Sequence, residues 1–199
     1  MKIKRTMIFM AVLILFGTWV YADECNTLRY VDNNDGTITD CRTGLIWLKD
    51  ANCTNTFNGI DKSSGYLTWY DAMKWVAGLY DTGSPPTGCG LSDSSYPGEW
   101  RLPTITEWRA MVAAAKKLGL GNPILTDATG TAQWTSGNPF LNVQLDNYWS
   151  STTNATFGNS AWGVGIYNGS VFINYKSNYG DVWPVRGGQS GEFGSLRIQ

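Results

Sequence analysis

Histidine is absent from all 199 residues. A Ser-His-Asp or Cys-His apparatus therefore cannot be assembled, and general acid-base chemistry would fall to carboxylates, lysines or tyrosines. Cysteine is confined to the N-terminal half, at Cys25, Cys41, Cys53 and Cys89. No two of these have the short spacing of a zinc knuckle, and no histidine is there to complete a ligand set, so no metal site is expected. Charge is thin as well: charged residues make up 16% of the chain and the formal net charge is −1. Without a basic stripe, recognition of a nucleic-acid backbone has no electrostatic footing. Beyond residue 22, no apolar run approaches the roughly 20 residues needed to span a bilayer.

What the N-terminus does hold is three basic residues, Lys2, Lys4 and Arg5, then an apolar run from Met7 to Val20, then Val20-Tyr21-Ala22. This is the layout of a cleavable signal peptide over 1–22. A membrane anchor is the weaker reading because Gly17 and Thr18 interrupt the run. A lipoprotein is weaker still, since Asp23 and Glu24 precede Cys25 where a small residue is required. Loss of residues 1–22 leaves 177 of the 199 and removes three cations, taking the net charge from −1 to −4. One domain is expected over 23–188, with a loose tail at 189–199. An even cysteine count in an exported chain implies disulfides. Three connectivities are open, of which Cys53 with Cys89 and Cys25 with Cys41 is preferred.

Along the mature chain, Asn33-Asn34-Asp35-Gly36 between two β-prone runs is hairpin chemistry, because glycine tolerates the positive φ of a tight turn. The same acidic loop does not fit an EF-hand, since the fifth position counted from Asp32 is Gly36. A turn at Thr43-Gly44 leads into a short buried strand, Leu45 to Leu48. Thr68 and Asp71 have capping-box spacing, and Trp69, Ala72, Met73, Val76, Ala77 and Tyr80 follow at helical intervals. The Gly, Ser and Pro-rich segment from Asp81 to Gly98 is a long loop for Cys89 to staple. A second helix starts with Thr104 as N-cap and Glu107 as its box partner, with Ile105, Trp108, Met111, Val112, Ala115 and Leu118 on one face and Gly119 to end it. Irregular ordered loops are expected from Gly121 to Asn147, held by Trp134 and Phe140.

The last third is the most legible. Asn168-Gly169 favours a two-residue type I′ turn between strands Ala161–Tyr167 and Ser170–Lys176. That turn would set Ile166 opposite Val171, Val164 opposite Ile173 and Trp162 opposite Tyr175, all on a core face. A further strand from Val182 to Arg186 is expected to be short or at an edge because of Pro184.

The order DNNDGTITD, TGLIWLKDANC, GEWRLPTITEW, YWSSTT and VWPVRGG resembles the bacterial domain found at the C-terminus of the Legionella collagen-like adhesin, over about Tyr30 to Gly188. The resemblance implies an α+β, C-type-lectin-like fold: two helices against small twisted antiparallel sheets with long loops. Formylglycine-generating enzymes and the variable proteins of diversity-generating retroelements share that broad fold. Two departures stand out. Val182-Trp183-Pro184-Val185-Arg186 replaces the arginine-rich V-R-x-V-R strand typical of the family, and the late cysteine pair of formylglycine-generating enzymes is missing.

Functionally, an enzyme is the weakest reading. No carboxylate pair has a spacing that marks it, and Glu107 is explained as a cap. Most tryptophans belong to core faces or to the family framework, and the E-P-N, Q-P-D and W-N-D motifs of calcium-dependent lectins are missing, so no cofactor is expected. From Asn159 to Tyr179, however, thirteen of twenty-one residues are Asn, Ser, Gly or Tyr, a paratope-like composition. The expected ligand-binding residues are Tyr167, Phe172, Asn174 and Lys176, on the hairpin face away from the core, with Asn178 and Tyr179 in the following loop. The reading is a non-catalytic, adhesin-like domain in the periplasm, on the cell surface or secreted, which binds an extracellular or envelope protein or glycan. A purely structural envelope protein is the alternative, and a carboxylate-dependent hydrolase the third.

Overall fold

The structure, a computed structural model, describes residues 24–81, 83 and 88–187. The expected signal peptide (1–22) and tail (189–199) lie outside the described residues. The chain folds as α+β, with two small sheets and two principal helices. The first sheet has the order β1 (Tyr30–Asp32), β2 (Thr37–Asp40), β3 (Leu45–Leu48), β9 (Val185–Gly187) and is antiparallel throughout. The second has the order β4 (Tyr66–Thr68), β8 (Tyr179–Asp181), β5 (Asn147–Thr153), β6 (Ser160–Gly165), β7 (Ser170–Tyr175). Only its β5–β8 pair is parallel.

The Asn-Asn-Asp-Gly turn joins β1 to β2 as expected, with Asn34 and Gly36 at positive φ. Both preferred disulfides, Cys25–Cys41 and Cys53–Cys89, are present. Helix α1 (Trp69–Ala77) starts where the Thr68 hydroxyl accepts the Asp71 N–H. Helix α2 (Ile105–Lys117) opens on the full capping box of Thr104 and Glu107. The buried face of α2 is the expected one except at its end. Leu118 is the C-cap and is exposed, because Gly119 turns the chain away at positive φ.

Three further expectations are corrected. The core face of α1 comprises Ala72, Trp75 and Val76, while Ala77 is exposed. The reason is Trp75, whose indole N–H donates to the Asn55 carbonyl and whose ring meets Phe57 edge-on at 5.3 Å, so the face turns toward that loop. Second, the expected strand Val182–Arg186 is split. Val182, Trp183 and Pro184 carry the chain from the middle of the second sheet to the edge of the first, and only β9 fits the edge position.

Third, the hairpin register is displaced by two residues. Val171 faces Val164, Ile173 faces Trp162, and Tyr175 faces Ser160. The connection is a four-residue turn over 166–169, and of Asn168 and Gly169 only the glycine has positive φ. Tertiary contacts decide this. Ile166 is fully buried, its N–H donates to Asp146 and its carbonyl accepts from Ile124, so it is unavailable to the β7 ladder. A slip of two preserves which side chains share a face.

The core lies between the sheets and α2, around Trp183. Its ring meets Trp47, Trp108, Tyr148 and Phe140 at centroid distances of 4.8–5.9 Å. None of the nine tryptophans beyond residue 23 is exposed. Several indole N–H groups also join elements through backbone carbonyls: Trp183 to Leu48, Trp149 to Leu67, Trp108 to Trp149, and Trp69 to Ser150. A buried indole N–H usually takes such a partner, and these four find it at the seams between elements.

Candidate functional site

Strand β6 carries glycine at 163 and 165, and aromatic rings lie over both. A Cβ on Gly163 would sit 2.5 Å from the Phe172 ring, and one on Gly165 would sit 2.8 Å from the Tyr167 ring. Trp149 covers Gly180 of β8 in the same manner, with its indole nitrogen 3.0 Å from where a Cβ would stand. Phe172 therefore has a packing role and is half-buried, contrary to the expectation that it stands free of packing. Tyr167 sits at the turn end of the hairpin, 39% exposed.

The opposite end of the sheet is organised by Lys176. Expected to face outward, it is buried instead: its ammonium donates to Thr153 Oγ1 at 2.9 Å and to the Gly158 carbonyl at 3.0 Å, and lies 4.1 Å over the Trp69 ring. Its backbone N–H donates to Asn159, and its carbonyl accepts from Trp69. One lysine thus fastens the 154–159 turn, the 176–178 loop and the start of α1 together. The turn is further fixed by buried Asn154, whose carboxamide oxygen accepts from the N–H groups of Thr156 and Phe157.

This braced corner displays Phe157, Tyr175 and Tyr179 at 59%, 59% and 70% exposure, with half-exposed Tyr70 beside them on α1. Phe157, Asn159, Ser160, Ile173, Asn174 and Tyr175 line a shallow groove of about 400 Å³. The Asn174 carboxamide oxygen accepts from Tyr175 N and from Asn178 Nδ2, which sets the loop. Of the expected site residues, the structure brings Asn174, Asn178 and Tyr179 to this corner, places Lys176 beneath it, and leaves Tyr167 at the other end of the strand. Sequence reasoning missed Phe157 and assigned both Ile173 and Tyr175 to the core, whereas Ile173 is exposed and lines the groove. Tyr175 is exposed because β7 is the sheet edge, whereas α2 packs on β5 and β6. The run of asparagine, serine, glycine and tyrosine was the signal that pointed to this corner.

Several carboxylates elsewhere are engaged. Glu107 forms two hydrogen bonds with Arg101, at 2.7 and 2.8 Å, and accepts the Thr104 N–H. Partial burial pushes its pKa up, but the bonds from Arg101 and Thr104 outweigh this and hold it below the usual value. Asp40 pairs with buried Arg29, and Asp93 with Arg186. Among the described residues, no group of three or more Cys, Asp or Glu side chains is placed to hold a metal ion, and no helix is long and apolar enough to cross a membrane.

The family model of the Lcl C-terminal domain matches residues 36–186. No curated protein matches the chain.

Proposed function

Because the chain belongs to the Lcl C-terminal domain family, we propose that it is an exported, non-catalytic, adhesin-like binding domain that recognises a protein or glycan ligand at the cell envelope or outside it. The observation that carries this reading is the corner built on Lys176, where exposed rings and amides stand on a braced frame while the tryptophans are held inside. Rigid tyrosines bring contact area at low entropic cost, and asparagines bring adaptable hydrogen bonds. Export is supported by the leader-like N-terminus and by two disulfides, which persist in oxidising compartments. A non-catalytic role is supported by the lack of histidine and by the ion pairs that engage Glu107, Asp40 and Asp93. Two helices beside two small, mostly antiparallel sheets with long loops support a C-type-lectin-like fold.

The test is saturable binding of the purified domain to a panel of matrix proteins, envelope proteins and glycans. The triple variant Phe157→Ala, Tyr175→Ala, Tyr179→Ala is expected to unfold within a few degrees of the parent, since exposed substitutions cost about 0.5 kcal/mol or less each, and to lose binding. A structural envelope protein would show no saturable ligand on the panel.

A further inference from the structure

We infer that the groove between Phe157 and Tyr175 is a subsite for an uncharged saccharide, which rests on the binding reading above and narrows its ligand class. Charge is the first consideration. From Asn147 to Gly180 the only charged residue is Lys176, and its ammonium is consumed inside by Thr153, Gly158 and the Trp69 ring. Arg109 of α2 lies over the Trp162 ring and does not line the groove. An anionic polymer would find no mobile cation there, and a cationic one no carboxylate.

The hydrogen-bonding groups complement hydroxyls. Asn159 Oδ1 accepts from Ser160 Oγ at 3.3 Å, and Asn174 Oδ1 accepts from Tyr175 N and Asn178 Nδ2. The Nδ2 donors of Asn159 and Asn174 have no partner among the described residues, and both side chains line the groove. Two fixed amide donors between two exposed rings suit a pyranose, which offers an apolar C–H face for stacking and hydroxyl oxygens at its rim. The groove volume of about 400 Å³ falls within the roughly 300–1,000 Å³ of small-ligand sites. The frame is set before binding, because Asn154 fixes the turn that carries Phe157 and Asn178 fixes the loop after Tyr175. Little ordering cost remains for the ligand to meet.

The experiment measures binding of the purified, disulfide-bonded domain to immobilised β-glucan, mannan and chitin oligomers, to heparin, and to an extended-peptide library. The expected result is saturable binding to at least one neutral saccharide that changes less than about twofold between roughly 0.05 and 0.5 M salt. Phe157→Ala and Tyr175→Ala are expected to weaken it at least about tenfold. Asn159→Asp and Asn174→Asp keep the oxygen acceptor that sets each loop, remove the free donor, and should weaken it similarly. Binding confined to heparin, with steep salt dependence, or confined to peptides adding to the free β7 edge, overturns the saccharide inference and leaves the binding reading standing. Neutral-saccharide binding indifferent to all four substitutions overturns the groove as its location. No binding to any probe overturns the saccharide inference, and the binding reading falls only if the matrix and envelope proteins of the wider panel are not bound either.

Discussion

Asp181 ends β8 with its carboxylate buried and neither oxygen hydrogen-bonded, while buried Lys62 donates to Asn52 Oδ1 and to the Cys53 carbonyl. Burial pushes the Asp181 pKa up to about 7, against the attraction of Lys62. Burial likewise lowers Lys62 to about 8, against the attraction of Asp181 and Asp50. For Asp181 the folded value lies above the unfolded one, so its contribution to stability is fully present below about pH 4 and is lost as pH rises through about 7. For Lys62 the folded value lies below the unfolded one, so its contribution is present above about pH 10.5 and is lost as pH falls through about 8. The parent should therefore lose stability between pH 4 and 7 from this site. Asp181→Asn should flatten that arm of a denaturant-midpoint against pH profile, an effect on the order of a few kcal/mol. An unchanged slope would show that Asp181 does not titrate in this range.

At the scale of the element, β6 and β7 form a ladder in which glycines make room for rings. Gly163→Ala would drive a Cβ into the Phe172 ring and to 2.8 Å from the Tyr148 carbonyl oxygen, which cannot swing aside. A loss of about 1–3 kcal/mol is expected from this overpacking, only partly restored by adding Phe172→Ala. At Gly165 the neighbours are the side chains of Tyr167, Asn168 and Ser170. Gly165→Ala should therefore cost clearly less, and equal losses in chemical denaturation would refute this account of the glycines. These strands also show what the sequence could convey. Parity of faces, both helix caps and the first hairpin were legible because each is set within a few residues. The two-residue slip was not, since it is decided by Ile166 bonding to Asp146 and Ile124. Nor was Lys176, whose partners at Thr153, Gly158 and Trp69 lie far away in sequence. The exposure of Tyr175 follows from strand order, which periodicity does not encode.

For the whole molecule, the two disulfides secure segments with little regular structure. Cys53–Cys89 spans 36 residues and ties the segment after β3 to the loop before α2, whereas Cys25–Cys41 spans 16. Replacing either pair by serine should lower unfolding free energy by about 2–4 kcal/mol, somewhat more for the longer loop. Equal unfolding midpoints for both variants and the parent would contradict this. Trp183 lies on the crossing between β8 and β9, so the last described strands reach the core of both sheets. That crossing also settles how the domain could be mounted. The first and last described strands are the two edges of the same sheet, and neither terminal strand enters the other. A partner domain, display scaffold or affinity handle joined directly to β1 or β9 would thus meet the four-stranded layer, while Phe157 and Tyr175 belong to the five-stranded one.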